Sequence, residues 1–259
     1  RSKRFLDKAA QVSAAANLEG YSIPALIAIG GNGTMAGAHA LPERTDIPIV
    51  WIPASIDNDI GLTREAIGVD SALNTIVAAC DNISDTAMSH HRAFIVEVMG
   101  RQSGDLAMAS AVAVAADAVL LPERPHTREE VIDSVVRCIE TSFGAVRDKT
   151  RVLIIKAEGV DVPTHEIVEE ATRRCNDNNL DYEIRGTILG HVVRGGDSSF
   201  RDRLLAGRFG RVAVEAALEG KGDVMAGWNI GVEIGEETTD DWIRLFPIKD
   251  VLAETEALH

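Results

Sequence analysis

The feature that most constrains the fold is a short apolar run that ends in glycines. Residues 25–29 are wholly apolar and lead directly into Gly30-Gly31. A run of this length bounded by glycine is typical of a strand that is buried on both faces, as in a parallel sheet. Similar runs end at residues 52, 98, 121 and 156, and stretches with helical character lie between them. This alternation predicts an α/β fold in which helices cover mostly parallel sheets.

The same pattern assigns elements along the whole chain. Helices are predicted at 5–18, 34–41, 70–88, 104–116, 127–142, 163–175 and 202–219, and strands at 25–29, 47–52, 94–98, 118–121, 151–156 and 185–193, with weaker strand signals at 231–234 and 242–247. Thr127 and Glu130 have the spacing of a capping box, which defines one helix start. His191 lies in an apolar stretch and is therefore expected to be a core histidine.

Composition bears on partners and compartment. A formal net charge of -14 disfavours nucleic acid and anionic membranes as partners, so an anionic ligand would need locally clustered arginines. The three cysteines have no zinc or redox spacing, which is typical of a protein from the reducing cytoplasm. We find no signal peptide, and no apolar run approaches the ~18 residues of a membrane span.

Ligands of parallel sheets bind beyond the carboxyl ends of the strands. One such end carries Gly30–Thr34, where glycines allow the backbone to approach phosphate oxygens and a helix N-terminus supplies free N–H groups. The loop lacks both the lysine-bearing P-loop pattern and the dinucleotide-binding spacing. A tight turn that needs glycine only for its geometry is the alternative.

Charged residues follow other strands. Asp57-Asn58-Asp59 suits either Mg²⁺ binding or base catalysis, and a solvated turn is the alternative. Four arginines, Arg92, Arg101, Arg194 and Arg203, stand near strand ends or glycines and have the guanidinium geometry that matches phosphate oxygens. For each of them a surface salt bridge is the alternative. The adjacent His90 and His91 are expected to face different directions rather than to share a metal.

Taken together, these segments resemble the 6-phosphofructokinase family. The resemblance is carried by 29–34, 53–59, 63–68, 89–92, 97–106, 122–123, 158–159 and 189–203, in that order. It implies two Rossmann-like lobes, a nucleotide-binding lobe of 1–68 and 204–259 and a sugar-phosphate-binding lobe of 69–203. The glycine-rich first strand of the family has no counterpart here, so the nucleotide lobe is expected to be incomplete at its N-terminus.

The resemblance also implies an activity, the transfer of a phosphoryl group from ATP to the 1-hydroxyl of fructose 6-phosphate in glycolysis. Asp57 would be the base, with Ser55 and Arg101 as further catalytic residues. The implied substrate-binding residues are Arg92, Met99, Gly100, Arg101, Glu158, Arg194, Phe200 and Arg203. The implied ATP-binding residues are Arg1, Gly31, Asn32, Gly33, Thr34 and Gly37, and Asn32 and Asp59 would bind Mg²⁺. Arg92 would act across a subunit boundary, which implies a cytoplasmic homo-oligomer, a dimer or tetramer with shared active sites.

Two alternatives to this activity follow from departures from the family pattern. Asn32 stands where the family usually has an aspartate on Mg²⁺, so a non-catalytic member or fragment that only binds sugar phosphate is one alternative. A pyrophosphate-dependent enzyme is the other. Gly33 and Ala54 occupy the positions where pyrophosphate-using relatives usually carry Asp and Lys, and therefore favour ATP.

Overall fold

The computed structural model describes residues 7–90, 92–124, 127–144, 147–178, 180, 182–231 and 234–258. These residues form two compact units. The first comprises the described parts of Arg1–Ser55, Asp59–Gly68 and Ser198–His259, and the second comprises those of Ile56–Asn58 and Val69–Asp197. Arg1 and His91 lie outside the described residues, as does the side chain of His90.

The helices and strands follow the alternation that the apolar runs predict. In chain order they are α1 Lys8–Gly20, β1 Leu26–Gly30, α2 Asn32–Ala40, β2 Ile49–Pro53, α3 Val69–His90, β3 Arg92–Val98, α4 Asp105–Ala113, β4 Ala118–Leu120, α5 Arg128–Phe143, β5 Val152–Ala157, α6 Thr164–Asp177, β6 Glu183–Ile188, α7 Phe200–Leu218, β7 Val224–Trp228, β8 Glu236–Glu237, β9 Ile243–Pro247 and α8 Ile248–Ala257, with short 3-10 turns at Leu41–Glu43 and Gly190–Arg194. None of the helices in the described ranges has both the length and the apolarity that crossing a bilayer requires.

The sheet of the first unit has the strand order β1-β2-β7-β9-β8. The first three strands are parallel, whereas β9 runs antiparallel to both β7 and β8. Val50 and Ile52 of β2 pack against Phe209 and Val212 of α7 in the core of this unit. Because α7 buries one face against this sheet, the whole helix belongs to the first unit, and a lobe boundary at 203/204 would cut it.

The sheet of the second unit has the order β4-β5-β3-β6 and is entirely parallel. All six residues of β5 are buried, which explains why this strand is a continuous apolar run apart from Lys156. Ile95 of β3 and Ile154 of β5 pack with Ile132 of α5 and Ile167 of α6. The capping box of Thr127 and Glu130 at the start of α5 is confirmed.

Three predictions about the elements were wrong or incomplete. The strand predicted at 185–193 ends at Ile188, because the chain turns into the 3-10 segment Gly190–Arg194. His191 is consequently exposed rather than a core residue. The strand β7 and the helix α8 were not predicted at all.

Candidate functional site

The glycine loop of the first unit joins β1 to α2. Gly31 is the N-cap of α2, and no side chain caps this helix end, which carries a positive partial charge. Gly30 is required by packing, because a Cβ at this position would lie 2.3 Å from Oγ1 of Thr34. The loop therefore combines a close chain reversal with an uncapped helix N-terminus, an arrangement that suits phosphate.

The other predicted residues of this region differ in accessibility. Gly33 is exposed, and outside its chain neighbours and the backbone of α2 no atom lies within 4 Å of the place a Cβ would occupy. Ser55 adjoins Gly31, since a Cβ on Gly31 would lie 3.6 Å from the Ser55 Oγ. Gly37 is buried within α2. Open space for an incoming ligand thus lies at Gly33.

Asn32 and Asp59 are brought together by a hydrogen bond. The Asn32 Nδ2 donates to Oδ2 of Asp59 over 2.9 Å. An ionised carboxylate oxygen can accept a hydrogen bond but cannot donate one. The amide must therefore direct Nδ2 toward Asp59, which directs its Oδ1 away from that carboxylate. Oδ1 of Asn32 is buried and has no hydrogen-bond partner among the described residues. A buried acceptor without a donor is costly and calls for a cation or a donor from outside the chain.

Asn32 and Asp59 both offer oxygen ligands of the type that Mg²⁺ prefers, but together they supply only one negative charge. Mg²⁺ in phosphoryl-transfer sites is usually held by one or two carboxylates together with substrate phosphates, and it prefers oxygen ligands. Asp59 supplies the carboxylate, and Oδ1 of Asn32 supplies a neutral oxygen. Groups of three or more His, Cys, Asp or Glu side chains that could hold a metal ion are absent from the described part of the chain.

The carboxylate of Asp57, in the second unit, lies between two guanidinium groups. Nε of Arg101 is 3.3 Å from its Oδ2, and Nη2 of Arg194 is 3.4 Å from its Oδ1. Asp57 is only 4% exposed, whereas the Arg101 and Arg194 side chains are 33% and 41% exposed. The two cations offset the desolvation of the buried carboxylate while keeping part of their own surface available to an anion.

The turn Met99–Arg101, which follows β3, is held by Glu158, which follows β5. Oε1 of Glu158 accepts hydrogen bonds from the backbone N–H groups of Arg101, at 2.7 Å, and Gly100, at 3.2 Å. Arg101 has a φ of 55°, a conformation that is uncommon for a non-glycine residue and recurs at functional sites. Met99 is buried. Glu158 therefore has a structural task, which is to hold Arg101 in this conformation.

Asn58 links the turn after Asp57 to α4. Its Nδ2 donates to Oδ2 of Asp105 over 2.9 Å. Burial raises the pKa of the Asp105 carboxyl, the hydrogen bond from Asn58 lowers it, and the negative charge of Glu123 raises it further. Glu123 itself accepts a 2.6 Å hydrogen bond from the backbone N–H of Gly104.

Arg92 lies away from this turn, at the opposite end of β3. At about 3.3 Å per residue, the seven residues of the strand place it roughly 20 Å from Met99. Its Nε bonds Glu183 on the neighbouring strand β6. Arg185, which the sequence reasoning missed, donates to the same carboxylate through Nε over 2.9 Å. Hydrogen bonds from Arg92 and then Arg185 lower the pKa of Glu183.

The signal for Arg185 was its spacing from Glu183. Residues two apart on a strand share a face, and Glu183 is the register partner of Arg92 on β3.

Phe200 and Arg203 belong to the first unit, on the first turn of α7, whereas Arg194 belongs to the second. Phe200 is 80% exposed, and Nε of Arg203 donates to the Ser198 carbonyl over 2.9 Å.

Comparison with known sequences places the chain among characterised proteins. The model of the phosphofructokinase family matches residues 1–217. An ATP-dependent 6-phosphofructokinase of Thermotoga neapolitana is 42% identical over 225 residues, covering 87% of this chain and 67% of its own length. The ATP-dependent 6-phosphofructokinase of Brevibacillus brevis is 41% identical over 227 residues, covering 88% of this chain and 67% of its own.

Solved structures agree with the sequences. The phosphofructokinase of Saccharomyces cerevisiae superimposes with a TM-score of 0.81 at 30% identity, covering 99% of this chain but 36% of that chain. A pyrophosphate-dependent phosphofructokinase from Marinobacter aquaeolei, at 21% identity and a TM-score of 0.75, shares the fold. This chain thus spans about two thirds of its bacterial relatives and about a third of the yeast chain. Since the family model and the relatives together account for most of the sequence, the chain belongs to the phosphofructokinase family.

Proposed function

We propose that this chain transfers the γ-phosphoryl group of ATP to the 1-hydroxyl of fructose 6-phosphate, giving fructose 1,6-bisphosphate and ADP, as a step of glycolysis. The observation that carries the proposal is the buried carboxylate of Asp57 between Arg101 and Arg194. Such a carboxylate can take up a proton while the flanking guanidiniums hold anionic oxygens. The names of the relatives support both the donor and the acceptor.

In the proposed reaction most residues assigned to the acceptor sugar belong to the second unit, and Phe200 and Arg203 belong to the first. Asp57 takes the proton from the 1-hydroxyl as the sugar oxygen bonds to the γ-phosphorus, and the bond from that phosphorus to the bridging oxygen of ADP breaks. Arg101 offsets negative charge near the transferring group. Met99, Gly100 and Glu158 contact the sugar ring, and Arg194, Arg203 and Phe200 contact its phosphate end. Catalysis of this kind depends mainly on positioning and on charge neutralisation.

The first unit serves the nucleotide. Gly31, Gly33, Thr34 and Ser55 line the path of the phosphates, with Gly37 supporting the helix behind them, and Arg1 adds a cation. Asn32 and Asp59 hold Mg²⁺, which neutralises phosphate charge when bound. The buried Oδ1 of Asn32 supports this assignment, because an ion would satisfy it.

Two features favour ATP over pyrophosphate as the donor. Gly33 supplies no carboxylate at the position where pyrophosphate-using relatives usually have aspartate. Ala54 supplies no cation at the position where pyrophosphate-using relatives usually have lysine. The two bacterial relatives are both named as ATP-dependent.

We further propose that the protein works in the cytoplasm as a homo-oligomer, a dimer or tetramer, in which Arg92 of one subunit serves the active site of another. Its distance of roughly 20 Å from Met99 along β3 supports this role, because it cannot reach the sugar held by its own turn.

A coupled assay tests the proposed reaction. The chain is mixed with fructose 6-phosphate and Mg²⁺, and ADP or orthophosphate is followed with ATP or pyrophosphate as the donor. We expect product with ATP and little with pyrophosphate. Product with pyrophosphate alone would assign the other donor. Absence of product with both, from a chain that still binds fructose 6-phosphate, would leave only the sugar-phosphate-binding alternative.

A further inference from the structure

The first unit contains a cavity of about 370 Å³ between the start of α7 and the carboxyl end of β7. Its wall is formed by Arg64, Phe200, Arg201, Leu204, Leu205, Arg208, Trp228 and Trp242, all of which belong to the first unit. Only Phe200 among these has a part in the proposed kinase reaction. The volume falls within the range that small-molecule sites usually have.

The cavity is unusually aromatic for this chain, in which aromatic residues make up 4% of the sequence. Trp228 and Trp242 stack with their rings nearly parallel, at 2°, and their centroids 5.7 Å apart. Trp242 is 47% exposed and Phe200 is 80% exposed, so apolar ring surface remains open to solvent. Exposed aromatic surface of this kind is typical of binding sites rather than of the general protein surface.

Positive charge converges on the same two rings. The guanidiniums of Arg64 and Arg201 lie 5.4 and 5.2 Å from the Trp228 centroid, and that of Arg208 lies 4.0 Å from the Trp242 centroid. The residues that line the cavity include three arginines and no acidic residue. In a chain with a net charge of -14, the cavity wall therefore presents guanidinium groups, while the carboxylates that pair with Arg201 and Arg208 are not part of the wall.

The arginines are held in place from outside the cavity. Oε2 of the buried Glu65 accepts a 2.7 Å hydrogen bond from Nη2 of Arg201, and Oδ1 of Asp240 accepts one of 3.1 Å from Arg208. The backbone N–H of Arg64 donates to the Trp228 carbonyl, which fixes the base of that side chain. A fixed set of guanidiniums beside flat rings is preorganised for a ligand that is both planar and anionic.

We propose that this cavity binds a small planar aromatic anion, an aromatic carboxylate or phosphate. The ring of the ligand packs against Trp242 and Phe200, and its anionic group is held by Arg64 and Arg201. No residue of the glycine loop lines this cavity, whereas Phe200 is shared with the proposed fructose 6-phosphate site.

Calorimetric titration of the full 259-residue chain with 2-naphthoate tests this site. We expect saturable binding of one molecule per chain, with a dissociation constant of about 1 mM or tighter. The neutral 2-naphthamide and the saturated decahydronaphthalene-2-carboxylate should each bind about tenfold more weakly, since one lacks the charge and the other the flat ring. Equal binding of either analogue would overturn the assigned ligand class.

Variants locate the site. Arg64→Gln and Trp242→Leu should each weaken 2-naphthoate about tenfold, whereas Arg244→Gln, an arginine outside the cavity, should leave the affinity unchanged. Thermal unfolding of each variant checks that it is folded. Naphthoate that fails to bind saturably, that binds both cavity variants as tightly as the parent chain, or that is displaced by Mg²⁺ with ATP would contradict the proposal.

Discussion

The glycine loop of the first unit and the turn Met99–Arg101 of the second hold their functional groups in opposite ways. The loop depends on backbone geometry and on hydrogen bonds between neutral donors and their acceptors, among them Asn32 to Asp59 and Trp51 Nε1 to the Gly30 carbonyl. The turn depends on charged side chains. Glu158 accepts hydrogen bonds from two backbone N–H groups of the turn, and the Arg101 side chain contacts the Asp57 carboxylate. The loop therefore leaves a buried acceptor oxygen of Asn32 for a ligand to satisfy, whereas in the second unit the buried carboxylate of Asp57 already has its cations.

This difference suits the two halves of the proposed reaction. A nucleotide with its metal ion brings its own charges, so its site needs space and an oxygen that awaits a cation. The acceptor hydroxyl is neutral, and the group that deprotonates it must be in place and balanced by the protein itself.

The largest effect is expected at Asp57. Replacing it by Asn keeps the shape of the side chain but removes the proton acceptor, so the turnover number should fall by about 10²–10⁴. Turnover is measured in the coupled assay at saturating ATP and fructose 6-phosphate. Ser103→Ala, a change near the same turn at a residue with no proposed role, should stay within about threefold.

A buried ion pair in the second unit gives the next largest effect. Lys156 is 1% exposed, and its Nζ lies 3.1 Å from Oε2 of Glu97 on the adjacent strand, one residue before Val98. Lys156→Met leaves the Glu97 carboxylate without its cation and should lower the free energy of unfolding by about 3 kcal/mol. Denaturant unfolding measures it. The exposed Lys249→Met should change the same quantity by less than about 0.5 kcal/mol.

Two glycine substitutions compare the loop and the turn directly. A Cβ on Gly159 would lie 2.2 Å from the Arg101 carbonyl oxygen, a backbone atom held in the strained turn. A Cβ on Gly30 would lie 2.3 Å from Oγ1 and 2.9 Å from Cβ of Thr34, and a side chain can shift more easily than the backbone of a held turn. Gly159→Ala should therefore cost about 2 kcal/mol of unfolding free energy, and Gly30→Ala about 1 kcal/mol. Equal costs, or the reverse order, would contradict the contrast drawn between the two segments.

Asn32→Asp is expected to have a smaller effect than Gly159→Ala. The change places two carboxylates side by side and should tighten Mg²⁺ in the presence of ATP about tenfold, because the second charge is compensated by the ion. Without Mg²⁺ the same variant should be less stable than the parent chain, since like charges then repel. Turnover as a function of Mg²⁺ concentration checks the first expectation, and thermal unfolding in a chelator checks the second.

The strands with continuous apolar runs were the clearest to predict from sequence, whereas β7 and α8 were missed. β2 and β5 are buried on both faces, and burial on both faces gives their sequences nearly continuous apolar runs that mark them as strands. β7 is as long as β2, but it contains Gly227 and is only partly buried at its ends, which hid it. Helix α8 begins immediately after β9 at Pro247, with no loop or side-chain cap to mark its start.

The site was predictable in its residue types but not in its internal contacts. The sequence indicates that Asp57, Arg101 and Arg194 follow strands or glycines, and the structure brings these three together. It gives no sign that Glu158 is engaged by two backbone N–H groups, because that depends on the register of β3 and β5. Nor did it single out Arg185, whose significance arises from its pairing with Glu183 beside Arg92.

The most direct test is to measure how tightly the Asp57→Asn variant binds fructose 6-phosphate and to compare this affinity with its turnover. We assume that Asp57 acts as the base and that Arg194 and Arg203 hold the phosphate of the sugar. Calorimetry should then show a dissociation constant for fructose 6-phosphate within about threefold of the parent value, while turnover falls by at least about 10². Turnover that survives the substitution, or an affinity that falls as far as turnover does, would contradict the role assigned to Asp57.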